Sequence, residues 1–168
     1  MSLTIRPEKP EERSRLATII ARTYRGAGAR TIEVAGKLRD LPQYVQDLSL
    51  VGEQDGEAVA FVMFTPVKVG ARDSAALLMA PIAVDPQQEN LDVEGFIQQA
   101  LGKAKEKGYG YVLLHGDAEE YEKYGFKSAK EHGVQSELRL PGVELLVCQL
   151  DDKAEELAGK VDYPPFLA

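Results

Sequence analysis

Between Asp85 and Glu94 the chain has no glycine, although glycine supplies 15 of its 168 residues. A loop that cradles phosphate on main-chain N–H groups normally relies on glycine to bring those groups close. A glycine-built cradle is therefore excluded from this stretch. Cysteine is also scarce. Cys148 is the only one, so no internal disulfide can form, and the composition suits a reducing, cytoplasmic setting. Basic residues are in deficit, 20 against 27 acids, which leaves a net charge of −7. No Lys/Arg stripe is available to neutralise phosphates, which argues against nucleic acid or an anionic membrane as the main partner. No run of 18 apolar residues could form a transmembrane helix, and the start, MSLTIRPEKPEE, has no apolar signal core. No cluster of His, Cys, Asp or Glu has metal-ligand spacing, so no metal site is expected.

The length suits one domain with a sizeable core, here residues 1–168. Residues 3–6 read as a short strand stopped by Pro7. Residues 11–24 read as a helix with Leu16, Ile19, Ile20 and Tyr24 on one face. The glycines of RTYRGAGAR (22–30) break it, and a second helix is expected over 32–41. Strands follow over 48–52 and 57–69 around Asp55-Gly56, a strong hairpin signal. A second hairpin turns near 70–74 into a strand over 75–84, where Pro81 cannot donate to a ladder and points to an edge, a bulge or a splay. Residues 90–107 make the clearest helix, with Phe96, Ile97, Ala100, Leu101 and Ala104 in one stripe. Residues 109–114 read as a strand buried on both faces, 118–124 as a short helix, and 126–128 and 144–150 as closing strands. The tail around Tyr163 and Phe166 should be extended and docked by its aromatics. The sum is an α+β protein with a mostly antiparallel mixed sheet flanked by helices.

Five segments in this order resemble the GNAT superfamily of N-acetyltransferases, in particular its small bacterial predicted members. They are DLSLVGEQDGEAVAFVMFTPVKVG (47–70), APIAVDP (80–86), AKEKGYGYVLLHGD (104–117), YEKYGF (121–126) and VDYPPF (161–166). The resemblance implies the GNAT fold and transfer of an acetyl group from acetyl-CoA to an amine acceptor, a small molecule or a peptide. It also implies that main-chain groups of Ile82, Ala83 and Val84 pair with the pantetheine arm of the cofactor. Tyr121 matches the tyrosine that protonates the departing thiolate; an ordinary tyrosine, with a pKa of about 10, is protonated at neutral pH. Residues 22–30 match the region that shapes the acceptor pocket, and folds of this type often dimerise.

The cofactor loop departs from the family pattern, Gln/Arg-x-x-Gly-x-Gly/Ala, and on that comparison is degenerate. It reads Gln88-Glu89-Asn90-Leu91-Asp92-Val93, with Gln88 kept and Leu91 and Val93 in place of the two small residues. A carboxylate about 6 Å from one phosphate charge costs on the order of 3 kcal/mol at an effective dielectric of ~20, so Glu89 and Asp92 oppose the anion. A local reading accounts for the acids as well: Asn90 caps the helix, and Asp92 and Glu94 sit in its first turn. A GNAT-fold module without activity, binding a small molecule or protein, and an acyltransferase with a different donor therefore stand as alternatives.

His115, at the end of a buried strand and two residues before Asp117, is a candidate general base because histidine titrates near neutral pH. Cys148, on an apolar strand, reads as a small buried hydrophobe. His132 reads as a surface loop residue.

Overall fold

The computed structural model describes residues 3–167, with main chain only over residues 72–75. The chain folds as two compact units. The first runs to Thr65 and resumes over Ala80–Gly102; the second holds Pro66–Met79 and everything from Lys103 onward.

In the first unit, β1 (Thr4–Pro7) pairs antiparallel with β2 (Ser49–Gln54), and β2 pairs antiparallel with β3 (Glu57–Val69). The β2–β3 turn is the expected Asp55-Gly56, with φ of 52° and 81°, the left-handed pair that a tight hairpin requires. The order is completed by the end of β4 (Arg72–Val84). The Ala80–Pro81 peptide bond is cis. Two helices follow β1: α1 (Arg13–Thr23), introduced by a 3-10 turn at Pro10–Glu12, and α2 (Gly28–Arg39). The second helix starts four residues earlier than its periodicity predicts. Gly28 is there for closeness: a Cβ on it would lie 2.9 Å from the Ala21 Cα, so the residue that reads as a breaker lets the two helices approach. Leu16, Ile19 and Ile20 are buried, as the stripe on α1 predicts. Gly52 plays a similar part for α3 (Val93–Glu106), since a Cβ there would come within 2.9 Å of the Phe96 ring.

In the second unit, the first half of β4 lies beside β5 (Tyr111–Gly116), in parallel at Leu77↔Val112 and Leu78↔Leu113. The four-residue α4 (Ala118–Tyr121) leads to β6 (Phe126–Ser128). The closing strand β8 (Glu144–Gln149) inserts between β5 and β6, antiparallel to both. Two strands were not expected: β7 (Val134–Gln135) and β9 (Gly159–Asp162). They pair with each other in parallel, and β9 also pairs with the end of β3 at Lys68↔Asp162 and Val69↔Val161. The tail is thus held by main-chain bonds as well as by its aromatics. The pairing is mixed and mostly antiparallel. No helix among the described residues is long and apolar enough to cross a membrane.

Candidate active site

In the first unit, three consecutive residues of α1 and its C-terminus meet the end of β4 and the residue after it. Arg22 reaches the Asp85 carboxylate at 3.1 and 3.3 Å, joined by Arg15 at 3.3 Å. Thr23 Oγ1, which also reaches Ile19 O, lies 3.1 Å from Val84 O. Tyr24 Oη donates to Ile82 O at 2.6 Å and accepts the Ile82 N–H at 3.1 Å. Burial raises the Tyr24 pKa above the usual tyrosine value, so the hydroxyl keeps its proton for that bond. Main-chain groups alternate sides along a strand. The Asp85 N–H donates to Val59 O of β3. By that alternation Ala83 turns its main chain toward β3, while Ile82 and Val84 turn theirs to the opposite edge, where Thr23 and Tyr24 stand.

Asp85 is 1% exposed, held by two guanidinium groups and by the Gln87 N–H at 3.0 Å. Its charge is compensated by Arg15 and Arg22. Beyond it, Gln88, Glu89 and Asn90 are exposed, and Leu91 is half-buried. Asn90 has φ of 60°. Asparagine is among the few non-glycine residues that tolerate the left-handed region, so the loop makes one left-handed turn without glycine.

The helix cap differs from the expectation. Asp92, not Asn90, caps α3: its Oδ1 accepts the Gly95 N–H at 2.9 Å, and its carbonyl accepts the Phe96 N–H at 3.0 Å. Asn90 is left-handed, whereas an N-cap residue is extended, so it cannot take that role. Gly95 belongs to the same device, because a Cβ there would collide with the Asp92 carboxylate. Val93 opens the helix and is 36% exposed.

In the second unit, Tyr121 is the last residue of α4. Its half-buried ring packs against Tyr124 and Phe126, with centroids 5.9 Å away in each case. It also covers Gly116, where a Cβ would lie 2.9 Å from the ring. A glycine directly before the Asp117 cap is thus what lets the tyrosine ring approach the end of β5. His115 does not use Asp117, whose Oδ1 caps α4 by accepting the Glu119 N–H at 3.0 Å. Instead His115 Nε2 lies 2.8 Å from Tyr163 Oη, which lies 2.6 Å from Ser136 Oγ. Burial lowers the His115 pKa below the usual histidine value because the apolar surroundings disfavour the imidazolium. His115 and Ser136 line a cleft of about 570 Å³ together with Ser128, Glu144 and Lys160. Cys148 is buried and its thiol is pushed up to about 11, which makes it inert. His132 is half-buried and stacks edge-on against Tyr111 at 6.2 Å, in place of the expected surface position.

Sequence reasoning marked Thr23 and Tyr24 only as part of the 22–30 segment, without their bonds to β4, and did not find Ser136 or the role of Tyr163. Tyr163 had a signal, since it lies in one of the five matching segments. The other three act through pairings with residues distant in the chain, which no local pattern carries.

No family model matches the chain. An uncharacterised N-acetyltransferase, YhbS, from Escherichia coli K12 is 33% identical over 121 residues, which cover 69% of this chain and 71% of that protein. The GNAT family N-acetyltransferase YhbS from Escherichia coli, solved in complex with CoA, superposes with a TM-score of 0.82 at 28% identity, over 99% of this chain and 92% of that one. A GNAT family acetyltransferase from Brucella melitensis, solved with acetyl-CoA, has the same fold, with a TM-score of 0.78 at 20% identity over 99% and 98%. Identity at this level over more than two thirds of a relative, with the same fold along nearly the whole chain, means that the chain belongs to the GNAT family of N-acetyltransferases.

Proposed function

We propose that this N-acetyltransferase moves the acetyl group of acetyl-CoA directly onto an amine, with His115 as general base and Tyr121 as general acid. The acceptor nitrogen, relieved of a proton by His115, attacks the thioester carbon. The new C–N bond forms as the C–S bond breaks, and Tyr121 gives its proton to the leaving sulfur. CoA is present in the solved YhbS structure, and family membership carries that donor to this chain. The main-chain edge of Ile82 and Val84 would receive its extended arm. Gln88, Glu89, Asn90, Leu91, Asp92 and Val93 would lie along its phosphates, with Asn90 supplying the left-handed turn. The single buried cysteine favours a reducing compartment such as the cytoplasm.

The observation that carries the base assignment is the His115–Tyr163–Ser136 line at 2.8 and 2.6 Å. In the tautomer that donates from Nε2, Tyr163 passes its own proton toward Ser136, and Nδ1 keeps a lone pair for the incoming proton. Burial keeps the ring neutral and ready to accept. The cleft beside it has the size of a small-molecule site and mixed polar lining, as an amine-bearing acceptor requires.

Calorimetric titration with acetyl-CoA tests the donor: heat of binding is expected, and none at high micromolar ligand rejects the reading. His115 must be neutral to act, and its pKa lies below the ordinary value of about 6.5. The rate kcat/KM should therefore hold through neutral pH and fall only as pH drops through that lowered value. His115→Gln should cost about 10²–10⁴ in rate and remove this acid limb. A limb that persists in the variant assigns it to another group. Tyr121→Phe should lower kcat and leave CoA affinity unchanged; equal loss of both rejects its role as acid.

A further inference from the structure

The end of β4 has an edge that is already occupied by side chains of its own unit. Tyr24 Oη both donates to and accepts from the main chain of one residue, Ile82, at 2.6 and 3.1 Å. Thr23 Oγ1 reaches the next main-chain acceptor on that edge, Val84 O, at 3.1 Å. Taking up the N–H and the C=O of one strand residue together is what a hydrogen-bonded neighbour does in an antiparallel ladder. The C-terminal end of α1 thus imitates a strand. It is also reachable: Thr23 is exposed and Tyr24 half-buried. Tyr24 has left the helical conformation, with φ of −103° and ψ of 70°, and Gly26 follows with φ of +84°. The ring is carried on a turn, not locked within the helix. One residue earlier the situation differs, since Arg22 is tied to the buried charge of Asp85 and anchors the end of the helix.

We infer that Tyr24 is a placeholder for the amide-bearing arm of the acyl donor, bonded to Ile82 until that arm arrives and displaced by it. The inference rests on the acetyl-CoA reading given above and adds a residue that sets donor affinity. In the free protein Tyr24 spares the Ile82 N–H and C=O from being left without partners, which would be costly. The donor must break those two bonds to make its own, so part of its binding free energy is spent on the exchange. Loss of the hydroxyl removes the competitor.

The test measures CoA and adenosine 3′,5′-bisphosphate, the nucleotide half without the arm, against the wild type, Tyr24→Phe and Thr23→Val by calorimetry. Tyr24→Phe should bind CoA about tenfold more tightly, as expected for two hydrogen bonds of modest net strength, with its affinity for the bisphosphate unchanged. Thr23→Val, at an exposed position, should shift CoA binding the same way by a smaller factor and guards against a folding defect in the first variant. Unchanged or weaker CoA binding by both variants overturns the inference alone. So does equal tightening toward both ligands, which would report a general loosening. CoA bound by none of the three proteins overturns the acetyl-CoA reading, and this inference with it.

Discussion

Asp85 shows how far a residue's role depends on its partners. By type alone it is an acid at the start of the glycine-free loop. In the structure it is buried, carries two arginines, and fixes the turn after β4 through the Gln87 N–H. Asp85→Asn keeps the shape and removes the charge, leaving Arg15 and Arg22 without their counter-ion. Removing one partner from a buried pair typically costs 3–5 kcal/mol. The arginine side chains are 32% exposed, which places the expected loss near the lower end, about 3 kcal/mol. Urea unfolding should show this as a lower midpoint with an unchanged slope. A loss under about 0.5 kcal/mol would mean that the arginines, not the carboxylate, hold this corner. Asp92 is the smaller case. Its one cap bond to Gly95 at 2.9 Å is worth ~1 kcal/mol, so Asp92→Ala should lower Tm by about 3 °C in a chain of this size.

At the scale of elements, local pattern and long-range pairing divide what the sequence could reveal. The stripe of α3 was legible because 3.6-residue periodicity is local: Phe96, Ile97, Ala100, Leu101 and Ala104 are all buried as read. The Asp55-Gly56 hairpin was legible for the same reason, since left-handed turns select their residues. The cap of α3 was misplaced by two residues because Asn90 and Asp92 are both good caps by type, and only the left-handed φ of Asn90 decides between them. The strands β7 and β9 hold two and four residues, too short for alternation to register, and exist through pairing alone. At the candidate site, Tyr121 and His115 could be marked from their segments. Tyr163 became more than a packing aromatic only once it stood 2.8 Å from His115, 48 residues away in sequence. Tyr24 is 58 residues from Ile82, and nothing near it in the chain announces that bond.

For the whole molecule the question is whether two compact units mean two folding events. The chain passes between the units inside regular structure, not through linkers: β3, β4 and α3 each begin in one unit and end in the other. Unfolding either unit alone would cut two strands and a helix in mid-run and expose main-chain groups at each cut, at a cost for every group left without a partner. One cooperative transition is therefore expected, in keeping with a single domain. The aromatic residues supply the means to check it. With no tryptophan in the chain, intrinsic fluorescence comes from seven tyrosines, of which Tyr109, Tyr111, Tyr121, Tyr124 and Tyr163 lie in the second unit. Far-UV circular dichroism reports mainly on helices, and α1, α2 and most of α3 lie in the first. Each probe thus favours a different unit. Urea curves followed by both should share one midpoint and one slope. Separated midpoints would show the units unfolding one after the other and would reject the single-domain reading.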